Sequence, residues 1–256
     1  MLAPFQTAVV DAIAAQSGER VLDVGCGYGT TTLAIAEHVG ALGSVHGVDI
    51  SPTMIDAAWG RAAARTTFAV ADVQTDSLAP PSGGRYDAAI SRFGVMFFAE
   101  PEVAFANIAS AIRAGGRMAF VCWQTMAQND FFMLSGRRLR AALPDPPPIA
   151  APHAPSPFAL ADIDRTRQLL EGAGWSAIDA EPIHPTIHFH SSEDLDGVET
   201  AMSMIRNSEL GDLAVRQLTS DQLDAALDET EADVRSRIVD GVVSLSSAAW
   251  IVTAQR

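Results

Sequence analysis

Three aspartates and a run of alternating glycines are the residues whose types and spacing point most directly to chemistry. Asp23, Asp49 and Asp72 each lie at or near the end of a short apolar run, and the first of them is followed by glycines at alternate positions within residues 25–29. Carboxylates accept hydrogen bonds from ligand hydroxyls and amines, and glycines let a ligand approach the backbone closely. The pattern predicts a ligand site at the carboxyl ends of neighbouring strands.

The glycine loop, residues 25–29, lies between a predicted strand and a predicted helix. The apolar run Arg20–Val24 precedes the loop, and helical spacing begins at Thr30. A dinucleotide fingerprint would require G-x-G-x-x-G, but Thr30 stands where its third glycine would be, which disfavours a nicotinamide cofactor. A glycine-rich turn without any ligand is the other interpretation, so further signatures must appear downstream.

The loop and the strand before it closely resemble the first motif of class I S-adenosylmethionine-dependent methyltransferases. With Asp49, Asp72 and the run Ala114–Arg117, residues 20–123 follow the order of motifs in that family. The resemblance implies S-adenosylmethionine as cofactor and S-adenosylhomocysteine as product. The residues that it places at the cofactor are Asp23, Gly25, Cys26, Gly27, Gly29, Asp49, Ile50, Asp72, Val73 and Ser91.

Each part of this cofactor needs a different partner. The resemblance implies that Asp49 accepts from both ribose hydroxyls and that Ile50 packs on the adenine. Asp72 would accept from the adenine amine, with the Val73 amide at the ring, and Asp23 would orient the ammonium of the amino-acid end. The alternative for Asp49 is an ordinary loop aspartate beside a helix start, because Asp is common in such turns.

An unusually apolar loop follows the fourth predicted strand. In the family, backbone carbonyls near Ser91 contact the methionine amine, and Arg92 is either an anchor of this loop or a surface arginine. The stretch 91–98 is similar to the quinone-biosynthesis-like branch of small-molecule methyltransferases. A dry, apolar surface would suit methyl transfer, and core packing is the alternative. The residues expected to form the acceptor site are Phe93, Met96, Phe97 and Trp123.

The run 181–190 alternates with a period of two and carries three histidines. As one extended strand it would present His184, Thr186, His188 and His190 on one face. An imidazole with a pKa near neutrality could act as a general base toward a hydroxyl acceptor, and we select His188 for that role. A solvated strand face is the other interpretation. No third metal ligand is evident near these histidines, so no metal is expected.

Strands and helices alternate throughout residues 20–123, which predicts an α/β fold with a doubly wound, mostly parallel sheet. A helix is expected before it, over Ala3–Ala15, and Ser51 and Pro52 are expected to begin the helix after the second strand. Further expectations are a helix over Pro101–Arg113 and an extended segment over 175–190. The family resemblance implies seven strands in the order 3-2-1-4-5-7-6 in a Rossmann-like sheet with helical insertions.

The chain is expected to form one methyltransferase domain over residues 1–256, with residues 18–123 as its cofactor-binding half. Two insertions, 124–158 and 191–247, are expected to form a cap over the acceptor. Family members usually carry a further N-terminal segment that covers the cofactor. Because the glycine loop begins at residue 25, two alternatives stay open: the cofactor is left exposed, or the two insertions cover it.

Composition narrows the partners. The chain has 17 Lys and Arg against 31 Asp and Glu and a formal charge of −14, which disfavours a nucleic-acid partner. Its two cysteines form neither a disulfide framework nor a zinc cluster. Neither a signal peptide nor a membrane-spanning run is evident, so cytoplasm is the default expectation. The expected function is transfer of a methyl group to a small, apolar or aromatic acceptor. The alternatives are a regulatory protein of the same fold that binds the cofactor without catalysis, and a protein or RNA methyltransferase. The oligomeric state is left open.

Overall fold

The computed structural model describes residues 2–148, 151, 153–190 and 196–256. The chain divides into two compact units. The larger unit comprises Ala3–Gln124, Ala150–Ile183 and Ala249–Arg256. The smaller unit comprises Met1–Leu2, Thr125–Ile149 and His184–Ala248.

The strands fall into one sheet in each unit. The larger unit has seven strands in the order β3-β2-β1-β4-β5-β10-β6, and the smaller has three in the order β7-β9-β8. In chain order, the strands are β1 (Arg20–Val24), β2 (Ser44–Asp49), β3 (Thr66–Val70), β4 (Tyr86–Arg92), β5 (Ile112–Trp123), β6 (Ser176–Ile183), β7 (Ile187–Phe189), β8 (Ile238–Val239), β9 (Val242–Leu245) and β10 (Ala249–Gln255).

Helices occupy most of the segments between the strands. The larger unit contains α1 to α4 and α6, and the smaller unit contains α5 and α7 to α9. In chain order, the helices are α1 (Ala3–Ile13), α2 (Thr30–Val39), α3 (Pro52–Trp59), α4 (Pro101–Ala111), α5 (Asp130–Ala142), α6 (Ile163–Gly172), α7 (Gly197–Arg206), α8 (Glu209–Gln217) and α9 (Ser220–Arg235).

The larger sheet has the topology implied by the family resemblance. Strands β1 to β5 are parallel, and β10, the last strand of the chain, lies antiparallel between β5 and β6. The order 3-2-1-4-5-7-6 is therefore confirmed, with β10 as the seventh strand of this sheet. Because β1 is central and parallel to both neighbours, its carboxyl end meets those of β2 and β4 at one edge.

Local sequence signals explain the elements that border this edge. Phe5, Val9 and Ile13 are buried on one face of α1, as their spacing predicts, and α1 packs against β4 and β5. The hydroxyl of Ser51 accepts from the Met54 N–H at 3.4 Å, and Pro52 is the first residue of α3. Both residues therefore begin that helix as expected.

Two element boundaries differ from the sequence prediction. Helix α4 ends at Ala111 rather than Arg113, and residues 112–116 belong to β5. The segment 175–190 is not one extended strand, because β6 ends at Ile183 and β7 begins at Ile187 in the other sheet. Pro185 lies in the break and has no N–H to donate to a strand ladder. The expectation that His184, Thr186, His188 and His190 share one strand face is therefore wrong.

The smaller unit is held together by polar contacts at the start of α5 and along α9. Asn129 is fully buried: its amide accepts from the Ala248 N–H at 2.9 Å and donates to the Ala248 carbonyl at 3.1 Å. Arg137 and Arg138 of α5 both form ion pairs with Asp233 of α9, at 2.8 and 2.9 Å. The predicted insertion 124–158 does not coincide with this unit, which takes residues 125–149 from that range, while residues 150–183 belong to the larger unit.

Candidate functional site

The glycine loop requires glycine at its first position. Gly25 has φ +65°, and a Cβ there would lie 2.7 Å from the Gly94 Cα. Residues with a side chain rarely adopt a positive φ. A Cβ so close to another backbone carbon would also clash with it. Gly94 follows β4, so this contact holds the turn after β1 against the turn after β4.

Gly27 has the same left-handed conformation in a different setting. Its φ is +53°, yet a Cβ would meet only the Met54 Sδ, at 3.8 Å. Gly27 is also partly exposed, so its backbone borders solvent rather than a closely packed neighbour. A glycine at such a position lets a ligand lie directly against the main chain.

Asp23 places a buried carboxylate beneath this loop. Its side chain is 0% exposed, and Oδ2 accepts from the Thr32 hydroxyl at 2.7 Å. Oδ1 is buried and has no hydrogen-bond partner among the described residues. Burial raises the pKa of Asp23 to about 6, while the Thr32 hydrogen bond and the Arg92 guanidinium oppose that increase. A buried acceptor without a partner is costly, so this atom indicates a missing donor.

Asp49, at the end of β2, organises the glycine loop through both of its carboxylate oxygens. Its Oδ2 accepts from the Gly27 N–H and its Oδ1 from the Ser51 N–H, both at 2.9 Å. Each carboxylate oxygen can accept more than one hydrogen bond, so both remain available to a diol. Ile50 follows and is 68% exposed, which leaves an apolar surface next to this carboxylate.

The end of β3 places Asp72 two residues beyond the strand. Asp72 Oδ1 accepts from the Gln74 N–H at 2.9 Å, and the Asp72 N–H donates to Asp76 Oδ2 at 2.8 Å. The Val73 side chain is buried, and its carbonyl accepts from the Asn107 amide at 2.7 Å. These contacts fix the turn and leave Asp72 partly exposed.

Cys26 is a packing residue of the loop. It is buried in a cluster with Ile55, Ala58 and Phe68, and its N–H donates to the Val48 carbonyl at 3.0 Å. Burial raises the pKa of its thiol, with the carboxylates of Asp23 and Asp49 adding to the increase. The thiolate needed for nucleophilic chemistry is therefore disfavoured.

The turn after β4 packs an aromatic stack against the sheet. The Phe93 and Trp123 rings are stacked with centroids 4.2 Å apart, and Phe5 of α1 meets both edge-on at 5.2 and 4.9 Å. Phe93 has φ +62°, which is uncommon for a bulky residue. The buried Ser91 hydroxyl accepts from the Gly94 N–H at 3.2 Å and tightens the same turn.

The four residues expected at the acceptor site divide by exposure. Met96 is 2% exposed and its Sδ lies 3.4 Å from the Trp123 N, so both residues belong to the core. Phe97 is 54% exposed. Phe93 is half-buried between these extremes. Sequence reasoning missed Phe5, because the periodicity of α1 indicates a buried face but not the strands that it covers.

Arg92 is held inside the turn rather than on the surface. It is half-buried, and its Nε donates to the Thr31 hydroxyl at 3.1 Å. Thr31 and Thr32 both lie in the first turn of α2. The structure thus supports the interpretation of Arg92 as an anchor of the loop.

His188 lies in β7 of the smaller unit. Its side chain is exposed, and its Nδ1 lies 3.1 Å from the Ser244 hydroxyl of β9. Its role as a base stays a prediction. Within the described residues, no three His, Cys, Asp or Glu side chains converge as a metal site would require.

The sheet order and the loop agree with a family comparison. Residues 21–116 match a family model described as a methyltransferase domain. Residues 21–116 therefore carry a methyltransferase domain, and the larger sheet has the class I S-adenosylmethionine-dependent methyltransferase fold. Its residues fit that cofactor, because the methyltransferase domain presents an open backbone at Gly27, an unpartnered acceptor on Asp23 and a strand-end carboxylate at Asp49.

Curated relatives resemble this chain in sequence over about half of its length. The aklanonic acid methyltransferase DauC of Streptomyces sp. strain C5 is 36% identical over 118 residues, which are 46% of this chain and 54% of that protein. The chain spans about half the length of the curated relatives that it matches.

Two solved structures show the same fold at low identity. The YcgJ protein of Bacillus subtilis has a TM-score of 0.59 and 12% identity, covering 99% of this chain and 98% of that one. Phosphoethanolamine N-methyltransferase 2 of Haemonchus contortus, solved with S-adenosyl-L-methionine, has a TM-score of 0.55 and 17% identity. That match covers 98% of this chain and 52% of the other.

Proposed function

We propose that this chain transfers a methyl group from S-adenosylmethionine to a small, apolar or aromatic acceptor. The observation that carries the proposal is the buried, unpartnered Oδ1 of Asp23 in the strand that leads to the open backbone of Gly27. An ammonium near Asp23 would supply the missing donor. S-adenosylmethionine offers an ammonium and, at its sulfonium, an already activated methyl group.

The other cofactor contacts follow from the strand ends. Asp49 binds the ribose hydroxyls while it keeps the Gly27 N–H, and Ile50 covers the adenine. Asp72 accepts from the adenine amine, with Val73 beside the ring. Gly25, Cys26, Gly29 and Ser91 shape the turns that hold the amino-acid end. In-line methyl transfer needs mainly alignment and a dry site, so these positioning contacts are the main contribution of the protein.

The apolar turn after β4 supports an apolar acceptor. Phe97 presents an exposed ring, and Phe93 is stacked on Trp123 at the carboxyl ends of β4 and β5, with Met96 buried behind them. The relative named for aklanonic acid is consistent with a small organic acceptor. The inserted segments 124–158 and 191–247 are proposed to contribute to acceptor selection.

His188 is proposed as the base for a hydroxyl acceptor. A positioned base contributes about 10²–10⁴-fold to the rate, so His188→Ala should lose at least 100-fold in kcat near pH 7. His38, an exposed histidine at the end of α2, provides the matched control as His38→Ala. Activity of the His188 variant within a few-fold of wild type across pH 6–9 would remove this residue from the mechanism.

The proposed environment is the cytoplasm, with no nucleic-acid partner. The negative charge of −14 disfavours a polyanion. Among the helices of the described residues, none has the length and apolar character needed to cross a bilayer. Retention of methyltransferase activity in high salt would agree with a neutral, small acceptor, whereas specific RNA binding would contradict it.

The experiment combines binding and turnover. Wild-type protein is titrated with S-adenosylhomocysteine by calorimetry, and methyl transfer is then assayed over phenols, hydroxyanthraquinones, carboxylic acids and amines. Binding together with methylation of an aromatic or apolar member is expected. Binding without transfer to any member would favour a non-catalytic cofactor-binding protein, and absence of binding would overturn the cofactor site.

A further inference from the structure

Arg92 and Asp23, which carry opposite charges, each form a hydrogen bond with one of two adjacent threonines at the start of α2. The Arg92 Nε donates to the Thr31 hydroxyl at 3.1 Å, and the Thr32 hydroxyl donates to Asp23 Oδ2 at 2.7 Å. Both threonines are buried in the first turn of α2, directly after the glycine loop. The guanidinium and the carboxylate are thus held by the same turn.

The two charges do not satisfy each other. Within the described part of the chain, Arg92 bonds to Thr31 and Asp23 to Thr32, and no hydrogen bond or ion pair joins the two; the guanidinium is nevertheless close enough to favour the ionised carboxylate. Asp23 Oδ1 accepts no hydrogen bond from the described residues, and the hydrogen bond to Thr31 involves only the Nε of the Arg92 guanidinium. A buried ion pair made only for stability would normally be closed by direct contact, because separated buried charges are costly.

A ligand with an ammonium and a carboxylate close together would satisfy both groups. Resting on the proposed function, we propose that Arg92 binds the α-carboxylate of the amino-acid end of the cofactor, while Asp23 accepts from its ammonium. The planar guanidinium has further N–H donors in a fork that matches a carboxylate. Arg92 is then a specificity residue for the amino-acid end rather than for the adenosine.

The backbone holds Arg92 in place for this contact. The next residue, Phe93, donates its N–H to the Val121 carbonyl at 3.1 Å. A Cβ on Gly94 would lie 2.8 Å from the Gly25 Cα, so the segment that carries Arg92 touches the first glycine of the loop. A binding group fixed in this way loses little conformational entropy when the ligand arrives.

The test uses two ligands that differ only at the amino-acid end. Calorimetry compares S-adenosylhomocysteine with 5′-methylthioadenosine, a thioether of the same adenosine without ammonium or carboxylate. For Arg92→Gln we expect S-adenosylhomocysteine affinity to fall about 10–100-fold, the range of a charge-assisted hydrogen bond. Methylthioadenosine affinity should stay within about two- to threefold. Arg92→Lys keeps the charge without the fork and should give a smaller loss with the same selectivity.

Arg61 provides the matched control. Its Nη1 donates to the Tyr28 carbonyl at 3.1 Å and to the Thr30 hydroxyl at 3.3 Å, so it is a second arginine bound to the glycine loop, but exposed. Arg61→Gln should change the affinities for both ligands together and only slightly. Circular dichroism melts establish whether each variant is folded. If Arg92→Gln is unfolded, the comparison of the two ligands is made with Arg92→Lys instead.

Each other outcome overturns the inference. Equal loss of both ligands in Arg92→Gln would show that Arg92 only holds the loop. No loss would remove it from the site, and a selective loss in Arg61→Gln would assign the carboxylate to Arg61. Wild-type protein that binds neither ligand would instead defeat the proposed function itself, which separates the two failures.

Discussion

The turns after β1 and β4 lie side by side in the larger unit. Both contain the left-handed backbone conformation, but glycines adopt it in the first turn and a bulky aromatic residue adopts it in the second. After β1, left-handed positions are occupied by glycines, including Gly25 and Gly27. After β4, the left-handed position is occupied by Phe93, whose ring stacks on Trp123. Glycine adopts this conformation without strain, whereas a bulky residue pays about 1–3 kcal/mol.

The difference separates two kinds of recognition. The first turn presents main chain between the buried carboxylate of Asp23 and that of Asp49, which suits a polar ligand with several hydrogen-bonding groups. The second turn accepts strain to hold aromatic rings against the sheet, which suits shape-based binding of an apolar group. Gly25 and Gly94 pack against each other, so the two surfaces are fixed in one arrangement.

Breaking the contact between the two turns should have the largest effect. In Gly25→Ala, the new Cβ would lie 2.7 Å from the Gly94 Cα at a φ of +65°. We expect a loss of about 2–5 kcal/mol in the free energy of unfolding and S-adenosylhomocysteine binding too weak for calorimetry. Gly83→Ala is the control, because Gly83 has φ +77° with no atom within 4 Å. Comparable binding losses in both variants would contradict the role of the contact.

Two alanine substitutions in the turn after β4 distinguish residues that stabilise the core from residues that are available to an acceptor. Met96→Ala should lower the free energy of unfolding by about 2–4 kcal/mol, because it removes a side chain that is 2% exposed. Phe97→Ala, at an exposed position, should change it by less than about 0.5 kcal/mol. The Phe97 variant should instead raise the KM for an apolar acceptor while cofactor affinity stays constant. Denaturant unfolding and steady-state kinetics measure the two effects, and a stability loss in Phe97→Ala as large as that in Met96→Ala would invalidate the division.

The polar side depends on Asp49. Asp49→Ala should weaken S-adenosylhomocysteine binding by about 2–4 kcal/mol, because two charge-assisted hydrogen bonds to the ribose and the Gly27 N–H contact are lost. Asp56→Ala, at an exposed position of α3, removes the same charge nearby as a control. Calorimetry gives both affinities; a change within a few-fold for Asp49→Ala would exclude the ribose contact.

The free energy of unfolding should depend on pH through the titration of Asp23. Its pKa is about 6 in the folded chain against an ordinary value of 3.8, so the folded state holds its proton more tightly than the unfolded state. The contribution of Asp23 to stability is therefore greatest below about pH 4 and is lost as pH rises to about 6, a change of about 3 kcal/mol.

Asp23→Asn removes this titration and tests the sign. The variant should become more stable relative to wild type as pH rises from about 4 to about 6, and the difference should be constant above that range. It should also bind S-adenosylhomocysteine more weakly at pH 7, because the amide bears no charge for the ammonium. Denaturant melts over this range measure the difference, and a stability difference independent of pH would show that Asp23 titrates normally.

The sequence by itself determined the features that depend on short-range patterns. The alternation of strands and helices, the glycine loop, the Ser51 and Pro52 helix start and the buried face of α1 all follow from local periodicity and turn chemistry. The order of the sheet followed from the resemblance to a family, since periodicity does not specify which strands are neighbours. The strand-end carboxylates were found because a βα unit always brings these ends to one edge.

Only the tertiary structure decided which groups satisfy one another. Arg92 and Thr31 are 61 residues apart, and the edge-on contacts of Phe5 with Phe93 and Trp123 join three segments that are far apart in the sequence. The unpartnered oxygen of Asp23 becomes visible only when every neighbour is known. Strand β6 ends at Ile183 and His188 joins another sheet through β7, although the alternating pattern continues across the break. Local sequence specifies conformation, whereas burial and long-range pairing depend on the whole packed chain.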